Sequence, residues 1–233
     1  VININNEDDY KYLLFATKQG IVKKTLISEF ANIRNSGKIC ITLRDDDELI
    51  DVKKTNGDNL VLLGSDAGRM VKFNEDEIRV MGRTASGVRG INLEESKCIC
   101  CEIVNEEDLI LLVTEKGYGK QTYVREFRQT KRGSKGVKAL NITDKNGILV
   151  AVEIIKPDKE LVIMTDSGMT MRMPVDQISV LGRVTQGLRL IHLRDTQKVS
   201  AISLVDKEIE SEDNNEDTTE VNNNTESEDT TQD

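Results

Sequence analysis

The sequence predicts an all-β protein, a propeller-like radial array of four-stranded blades of about 50 residues each, followed by a disordered acidic C-terminal tail. Two series of glycines carry this prediction. The first series ends four turn-forming tetrads, with spacings of 48, 49 and 51 residues: Gly20, Gly68, Gly117 and Gly168. The second series recurs with nearly the same period, with one glycine after each tetrad and spacings of 50, 49 and 51 residues: Gly37, Gly87, Gly136 and Gly187. Blade-sized units of this kind stack side by side, because one unit cannot bury both of its faces alone.

Each repeat opens with a short apolar strand, a tight turn and a return strand. The apolar runs are bounded by charge, which predicts strands covered on both faces: Leu13–Ala16, Leu60–Leu63, Leu109–Val113 and Leu161–Met164. The tetrad that follows has a Thr or Ser, two polar residues and a Gly. It predicts a three-residue hairpin loop, with the glycine in the left-handed conformation that a residue without Cβ adopts easily.

The rest of each repeat predicts two more strands. An alternating strand follows the second glycine, as in Val88–Leu93 and Leu188–Leu193, and an apolar strand ends the repeat, as in Ile99–Val104. The abrupt start at Val1 favours a fragment of a longer chain. The predicted boundaries are the end of a preceding blade at 1–10, blades at 11–58, 59–107, 108–158 and 159–206, and the tail at 207–233.

Charge is unevenly distributed along the chain. The formal net charge is −9, which taken alone argues against a nucleic-acid partner. Residues 206–233 hold twelve acidic side chains and one lysine, a net of −11, so residues 1–205 carry +2. The composition of the tail predicts disorder. Two interpretations of the tail stay open: a solubilising extension, or a mimic of the phosphate chain that competes for a basic surface.

Composition and motifs exclude several classes of protein. No apolar run is long enough to span a membrane, and no signal-like N-terminus is present, so we expect a cytoplasmic protein. The spacing of Cys98, Cys100 and Cys101 does not fit a zinc knuckle, and the only histidine, His192, is far away in the sequence. These cysteines are predicted to be reduced and packed in a strand. We expect no metal, no cofactor and no catalytic residue, because no titratable groups converge in a motif.

The second glycine lies in a loop flanked by cations in every repeat. Small residues let the backbone approach a phosphate, while Arg and Lys neutralise its charge. Residues suited to reading or stacking on bases are nearly absent, so the loops predict a basic rim that binds and bends double-stranded DNA without sequence preference. The predicted DNA-binding residues are cations of the return strands and these loops: Lys23, Lys24, Arg34, Lys38, Arg69, Lys72, Arg83, Arg89, Lys120, Arg125, Arg128, Lys131, Arg132, Lys135, Lys138, Arg172, Arg183 and Arg189.

At these residues the sequence resembles the C-terminal domain of the DNA gyrase A protein, a β-pinwheel. The resemblance covers nearly all of 9–205 and is carried by an ordered series of stretches: Gly20–Thr25, Asp47–Ile50, Val80–Arg83, Ser86–Ile91, Gly117–Lys120, Lys135–Val137, Val180–Arg183 and Thr185–Gly187. It implies a non-catalytic domain that wraps DNA in a right-handed sense. It also implies partners, namely the rest of the gyrase A protein and the gyrase B protein in a heterotetramer that supercoils DNA negatively, with ATP and Mg²⁺ used only by that holoenzyme.

The family's domain opens with a Q-R-R-G-G-K-G box. The nearest string in this chain is internal, and the resemblance implies a degenerate box that contacts DNA: Gln129, Thr130, Lys131, Arg132, Gly133, Ser134, Lys135 and Gly136. Two alternatives stay open. One is the C-terminal domain of the topoisomerase IV subunit, whose array has fewer and less regular blades. The other is a propeller-type protein-interaction module, which would favour aromatic or apolar loops.

Overall fold

The computed structural model describes residues 9–31, 37–194 and 196–207, and within them the chain is all-β, as predicted. The predicted tail lies outside the described residues apart from Lys207, as do residues 1–8 of the predicted preceding blade. The strands are β1 (Tyr12–Thr17), β2 (Ile21–Leu26), β3 (Leu49–Thr55), β4 (Leu60–Ser65), β5 (Arg69–Asn74), β6 (Val88–Arg89), β7 (Cys98–Val104), β8 (Leu109–Thr114), β9 (Tyr118–Tyr123), β10 (Val137–Lys138), β11 (Leu149–Ile154), β12 (Lys159–Thr165), β13 (Thr170–Pro174), β14 (Leu188–Arg189) and β15 (Val199–Asp206).

Every repeat begins with an antiparallel hairpin, formed by β1–β2, β4–β5, β8–β9 and β12–β13. In the first turn the amide of Gly20 donates to the carbonyl of Thr17 at 2.9 Å, and the amide of Ile21 donates to the Thr17 hydroxyl at 3.2 Å. The φ angle of Gly20 is +75°, and the three equivalent glycines also have positive φ. The predicted three-residue turn with a left-handed glycine is therefore confirmed.

The apolar strand that ends each repeat returns to pair with the first strand of the same repeat. Thus β3 pairs with β1, β7 with β4, β11 with β8 and β15 with β12, all antiparallel. These four strands also contact each other in series, β3 with β7, β7 with β11 and β11 with β15. They form the side on which the sheets approach one another, and we call the opposite edge of each sheet the outer edge.

The outer-edge strand of each sheet comes from the next repeat. Strand β6 pairs with β2, β10 with β5 and β14 with β9, which gives the sheet orders β3-β1-β2-β6, β7-β4-β5-β10 and β11-β8-β9-β14. The sheet of the fourth repeat contains β13, β12 and β15 in the described part of the chain. We call β6, β10 and β14 the exchanged strands, since the second, third and fourth repeats each give one to the repeat before.

The predicted alternating strand Val88–Leu93 is too long, because the structure ends β6 at Arg89. The amides of Gly90 and Ile91 both donate to the carbonyl of Gly20, at 2.8 and 3.3 Å, so the ladder cannot continue. The same pair of hydrogen bonds joins Leu190 and Ile191 to Gly117 and stops β14 at Arg189.

The core lies between successive sheets, because the strands are buried on both faces. In β4, Val61 and Leu63 pack in the cluster shared with the first repeat, together with Leu14 and Val22. Leu62 points the other way, into the cluster shared with the third repeat. This alternation follows from the two-residue period of a strand and confirms that the apolar runs are covered on both sides.

Short 3-10 turns follow the return strands and were not predicted, because a run of three or four residues has no periodic signal. They span Ile27–Phe30, Glu75–Glu77, Val124–Glu126 and Val175–Gln177. The second turn buries Glu75, whose carboxylate accepts hydrogen bonds from the Thr55 hydroxyl at 2.7 Å and from the Gly57 amide at 2.8 Å. The carboxylate therefore fixes the link between the first and second repeats.

Three of the four cysteines are buried in β7, which confirms their predicted packing in a strand. Burial raises the pKa of Cys98 to about 12 and also raises the pKa of Cys100 and Cys101. Because the thiolate is the reactive form, we expect a thiol reagent to modify Cys40, which is half-buried, well before these three. Timed labelling followed by intact mass would show one fast site, which a Cys40→Ser variant should lack. Equal rates at all cysteines would contradict this packing.

Charged side chains occupy equivalent positions of the strands on the inner side. Lys53 of β3 pairs with Asp51 at 3.1 Å and with Glu102 of β7 at 2.9 Å. Glu153 of β11 stands at the equivalent position of the next sheet, opposite Leu111 as Glu102 is opposite Leu62. Burial raises the pKa of Glu153, although Lys53 acts in the opposite direction.

The raised pKa of Glu153 leads to a prediction about how the stability of the folded chain depends on pH. Its folded-state pKa lies above the unfolded value, so its contribution to stability is present in acid and is lost as pH rises through the folded pKa. Glu153→Gln removes that loss and should raise the melting temperature more at neutral pH than at pH about 4, near the reference pKa of Glu. Thermal unfolding at both values measures the difference. A variant equally stabilised or destabilised at both would contradict the prediction.

Neither a membrane-spanning helix nor a metal cluster is found in the described residues. None of their helical segments is long and apolar enough to cross a bilayer. Over the same ranges, no group of three or more His, Cys, Asp or Glu side chains is placed to hold a metal ion.

Candidate nucleic-acid interface

The sheet order places the predicted loops at the outer edge. We call residues 82–89, 129–138 and 182–189 the glycine loops, since each contains a second-series glycine followed by an exchanged strand. The cations that close these loops, Arg89, Lys138 and Arg189, are all exposed. Successive repeats therefore present a cation at the same position of the outer edge.

The second-series glycine seats each loop on the preceding repeat. Gly87, Gly136 and Gly187 have φ angles of +98°, +67° and +80°. A Cβ on Gly187 would lie 2.7 Å from the carbonyl oxygen of Gly119, and one on Gly136 would overlap the carbonyl of Met70. Both the backbone angle and the close approach require glycine at these positions.

Arginines connect each loop to the loop before it. Arg83 donates to the carbonyl of Ile39 at 3.2 Å, Arg132 donates to that of Arg89 at 3.1 Å, and Arg183 donates to that of Lys138. The three acceptors are each two residues beyond a second-series glycine. These half-buried arginines hold successive loops together and so fix the spacing of the exposed cations.

Two buried lysines donate hydrogen bonds to the main chain of the glycine loops. Lys120 donates to the carbonyls of Gly182 and Arg183 at 2.8 and 2.7 Å, and Lys23 donates to the carbonyls of Cys40 and Arg83. Burial lowers the pKa of both ammonium groups, and that of Lys120 falls to about 8, with a smaller contribution from Arg183.

A second pair of buried lysines fastens the return strands to the next repeat. Lys24 donates to the carbonyl of Glu75 at 2.8 Å, and Lys72 donates to that of Val124 at 3.2 Å. Lys72 also bonds the carboxylate of Glu106, at 2.6 and 2.7 Å. In the third repeat Gln121 takes the equivalent role and donates to the carbonyl of Val175.

The structure corrects the prediction that these four lysines contact DNA. Lys23, Lys24, Lys72 and Lys120 are at most 4% exposed, and their ammonium groups are bonded to carbonyl or carboxylate oxygens. A buried cation bonded in this way is not available to a duplex. Their charges were predicted on the rim because the sequence shows the turn nearby but not the repeat that covers it.

Several predicted cations are exposed or half-buried but have partners. Arg69 donates to the carbonyls of Lys135 and Gly136 at 3.1 and 3.0 Å and so holds the third repeat's loop. Three other cations form ion pairs with carboxylates: Lys135 with Glu94, Arg125 with Glu107, and Arg172 with Glu160. Arg125 also lies 3.8 Å from the ring centroid of Tyr123, and Arg172 also donates to the carbonyl of Asp206. Lys138 donates to the Asn141 side chain, and Lys38 donates to the carbonyl of Ala31. Exposed pairs of this kind contribute little to stability, so a phosphate can replace the carboxylate at low cost.

Three exposed cations have no such partner. Arg89, Arg128 and Lys131 form no side-chain hydrogen bond or ion pair with any residue that the structure describes. Two of them lie in or beside the third repeat's loop. Arg34 lies outside the described residues, so its predicted role stays a prediction.

The predicted degenerate box, 129–136, forms the glycine loop of the third repeat up to the exchanged strand β10. Its Thr130 amide donates to the Lys72 carbonyl at 2.8 Å, and its Gly133 amide donates to the Gly90 carbonyl at 2.5 Å. Arg132 also bonds the Glu77 carbonyl at 2.9 Å. Within the box, Gln129, Lys131 and Lys135 are exposed, while Gly133 and Gly136 take positive φ. The backbone of the box is thus clamped onto the second repeat, and its lysines face solvent.

Comparison with known proteins matches this chain to one family. The family model described as DNA gyrase C-terminal domain, beta-propeller, matches residues 11–56, 59–97, 108–156 and 159–206. The chain is 42% identical over 211 residues to the DNA gyrase A protein of Staphylococcus epidermidis, which covers 89% of the chain and 23% of that protein. It is 41% identical over 217 residues to the DNA gyrase A protein of Staphylococcus aureus, with 92% and 24% covered. The chain therefore spans about a quarter of the length of these relatives.

Solved structures show the same fold. The C-terminal domain of DNA topoisomerase IV superposes with a TM-score of 0.81 at 26% identity and covers 88% of this chain and 65% of that one. The DNA gyrase A C-terminal domain superposes with a TM-score of 0.74 at 24% identity and covers 87% and 72%.

Proposed function

Because the chain belongs to the DNA gyrase C-terminal domain family, we propose that it binds double-stranded DNA along its outer-edge loops and bends the duplex around them. The observation that carries this proposal is the exposure of Arg89, Lys138 and Arg189 at equivalent positions of three successive exchanged strands. A row of cations at a fixed spacing matches the phosphate backbone of a duplex.

The loops favour contact with the backbone over the reading of bases. Their spacing is fixed by the arginines that bond preceding loops, so the exposed cations need little reorganisation when a duplex arrives. Of the aromatic residues that precede the third loop, Phe127 is fully buried, and the Tyr123 ring has the Arg125 guanidinium 3.8 Å from its centroid, so neither ring is presented for stacking on bases. We therefore expect little dependence of affinity on DNA sequence.

We further propose that the chain acts as the DNA-wrapping part of a DNA gyrase A protein. In this role it would support ATP-dependent negative supercoiling, in the bacterial cytoplasm, by a heterotetramer of the gyrase A and gyrase B proteins. The catalytic residues and the sites for ATP and Mg²⁺ would lie in other parts of that enzyme. The identity to the gyrase A proteins across the repeats supports this assignment.

The structural similarity to the topoisomerase IV domain favours a second candidate, the equivalent segment of that enzyme. The two candidates make opposite predictions for the holoenzyme that contains this chain. Gyrase introduces negative supercoils into relaxed plasmid in the presence of ATP, whereas the topoisomerase IV assignment predicts decatenation without supercoiling.

Duplex binding by the full chain, measured against salt concentration and duplex length, tests the proposal. If about five exposed cations each neutralise a phosphate, the logarithm of the affinity should fall against the logarithm of salt with a slope of about −4.5. Bending a site by tens of degrees costs on the order of 1 to 6 kcal/mol, so short duplexes that reach one loop should bind much more weakly than long ones. Affinity independent of salt, or equal for all lengths, would contradict it.

A further inference from the structure

A cavity of about 450 Å³ lies where the third and fourth repeats meet, at the end of the sheets that carries the hairpin turns. Its wall contains five cations and one aromatic ring: Lys116, Lys145, Arg189, Arg194, Lys198 and Tyr118. Apart from Arg189, these residues do not belong to the predicted rim. We call this cavity the basic cavity.

The cations come from four separate segments that the fold brings together. Lys116 lies in the hairpin turn after β8, and Lys145 lies in the turn between β10 and β11. Arg189 ends the exchanged strand β14. Arg194 and Lys198 lie between β14 and β15. Their convergence depends on the exchange of β14 onto β9, which places Arg189 opposite Tyr118.

Tyr118 forms the apolar wall together with Ile191 and Leu193, and its ring contacts two of the cations. The residue is 7% exposed, and its hydroxyl accepts hydrogen bonds from Arg189 at 2.9 and 3.3 Å. The Arg189 guanidinium is 5.4 Å from the ring centroid, and the Lys145 ammonium is 5.6 Å from it. Two like charges are therefore held beside one ring, an arrangement that an anion between them would stabilise.

Neighbouring carboxylates compensate only part of the charge. Glu115 pairs with Lys198 at 2.8 Å, and Asp166 also raises the pKa of Lys198 through its charge. Lys116 donates to the main-chain carbonyl of Asp144, which is neutral. Among the described residues, no carboxylate pairs with Lys145, Arg189 or Arg194, and Asp195 lies outside that set.

The fold does not impose this charge. A cavity at the preceding junction, between the second and third repeats, is lined by Asp66, Glu94 and Glu95, with Arg69 as its cation. In that cavity Arg69 and Ile148 occupy the positions of Tyr118 and Lys198, since Arg69 pairs with Lys138 as Tyr118 pairs with Arg189, and Ile148 precedes β11 as Lys198 precedes β15. The two junctions therefore surround their cavities with different side chains, mostly acidic at the earlier one and basic at the later one. The concentration of cations is a property of the later junction.

We propose that the basic cavity binds a phosphate group, supplied by the backbone of a duplex that follows the outer edge. This inference rests on the proposed DNA binding, because Arg189 belongs both to the outer edge and to the cavity. Arg189 and Arg194 offer planar donors to phosphate oxygens, and Lys116 and Lys145 add compact charge. A duplex that reaches Arg189 is thereby drawn over the hairpin ends of the last two repeats.

The test uses the full chain with Lys145→Gln and Arg194→Gln combined, which removes two cations whose side chains form no hydrogen bond or ion pair with described residues. The matched control combines Lys97→Gln and Lys156→Gln, which removes two exposed cations elsewhere. We expect the cavity variant to bind a long duplex about tenfold more weakly at low salt, with a salt slope reduced by about 1 to 2. The control should change affinity less than about twofold.

Titration with pyrophosphate shows whether the basic cavity binds phosphate groups at all. Duplex titration of the same variants shows whether the phosphate comes from DNA. Binding of pyrophosphate to the unmodified chain and its loss in the cavity variant, with duplex affinity also reduced, supports the proposal. Loss of pyrophosphate binding without any change in duplex affinity would assign the cavity to a free phosphate compound and overturn the duplex as its ligand. If the cavity variant binds pyrophosphate and duplex as the control does, the proposed site is wrong, even where replacing cations of the glycine loops abolishes duplex binding. If the unmodified chain binds no duplex, the proposed function fails while the pyrophosphate titration still decides the site.

Discussion

Replacement of Gly136 by alanine should lower the free energy of unfolding by about 2 to 5 kcal/mol, more than the same change at any other glycine, because its Cβ makes the closest approach to another atom. The left-handed backbone angle of +67° costs an alanine about 1 to 2 kcal/mol. The added Cβ would also overlap the carbonyl of Met70, in the strand that receives β10, and overpacking of that kind costs about 1 to 3 kcal/mol more. Urea unfolding followed by circular dichroism measures the loss.

Two other glycines separate the contributions to this loss. Gly168 has a φ of +81° but no atom within 4 Å of a built Cβ, so Gly168→Ala should show the backbone cost alone. Gly182 has neither a positive φ nor a nearby atom, and Gly182→Ala should change stability by less than about 0.5 kcal/mol. If Gly136→Ala and Gly168→Ala cost the same, the seating of the glycine loop on the preceding repeat does not contribute to stability.

Charge reversal of Arg128 and Lys131 together should reduce duplex affinity by about 50-fold or more at 0.1 M salt. Removal of each cation that neutralises a phosphate should lower the salt slope by about 0.9 and affinity at this salt by nearly a factor of ten, and the introduced carboxylates add repulsion. Both side chains are exposed, and neither bonds a residue in the described ranges, so folding should not change. Fluorescence anisotropy across a salt series, with the melting temperature measured in parallel, gives both quantities.

The control for this experiment is Lys97→Glu combined with Lys156→Glu, which changes net charge equally away from the glycine loops. It should reduce affinity only through the weak long-range field and leave the salt slope nearly unchanged. Arg132 is not suitable for this test, because it bonds the carbonyls of Glu77 and Arg89 and its replacement would disturb the loop itself. If the Arg128 and Lys131 variant has the same salt slope as the unmodified chain, these two residues do not contact the duplex.

Features set by local sequence could be predicted, and features set by the next repeat could not. The turn from Thr17 to Gly20 depends on four adjacent residues, so its geometry was predicted correctly. The burial of Lys23 depends on carbonyls of Cys40 and Arg83, and the latter lies 60 positions away. A lysine beside a turn has the same local pattern whether water or another repeat covers it.

The exchanged strands show the same limit. The alternation from Val88 onward predicts a strand, but it cannot show that β6 pairs with β2 of the preceding repeat. The basic cavity was missed because Lys116, Lys145 and Arg194 lie in different segments and share no motif. The signal that could have found it is a contrast between repeats, since Arg194 stands where the second repeat has Glu94.

The exchange of outer strands also affects the order in which the chain can fold during synthesis. Each of the first three sheets needs two residues from a repeat that leaves the ribosome later, so during their synthesis the most recently made repeat has an unpaired edge. A ribosome that pauses between repeats would hold the nascent chain with one return strand open to pairing with other chains. Completion of each sheet therefore waits for the second glycine of the following repeat, and a chain cut short within a repeat leaves the sheet before it unfinished.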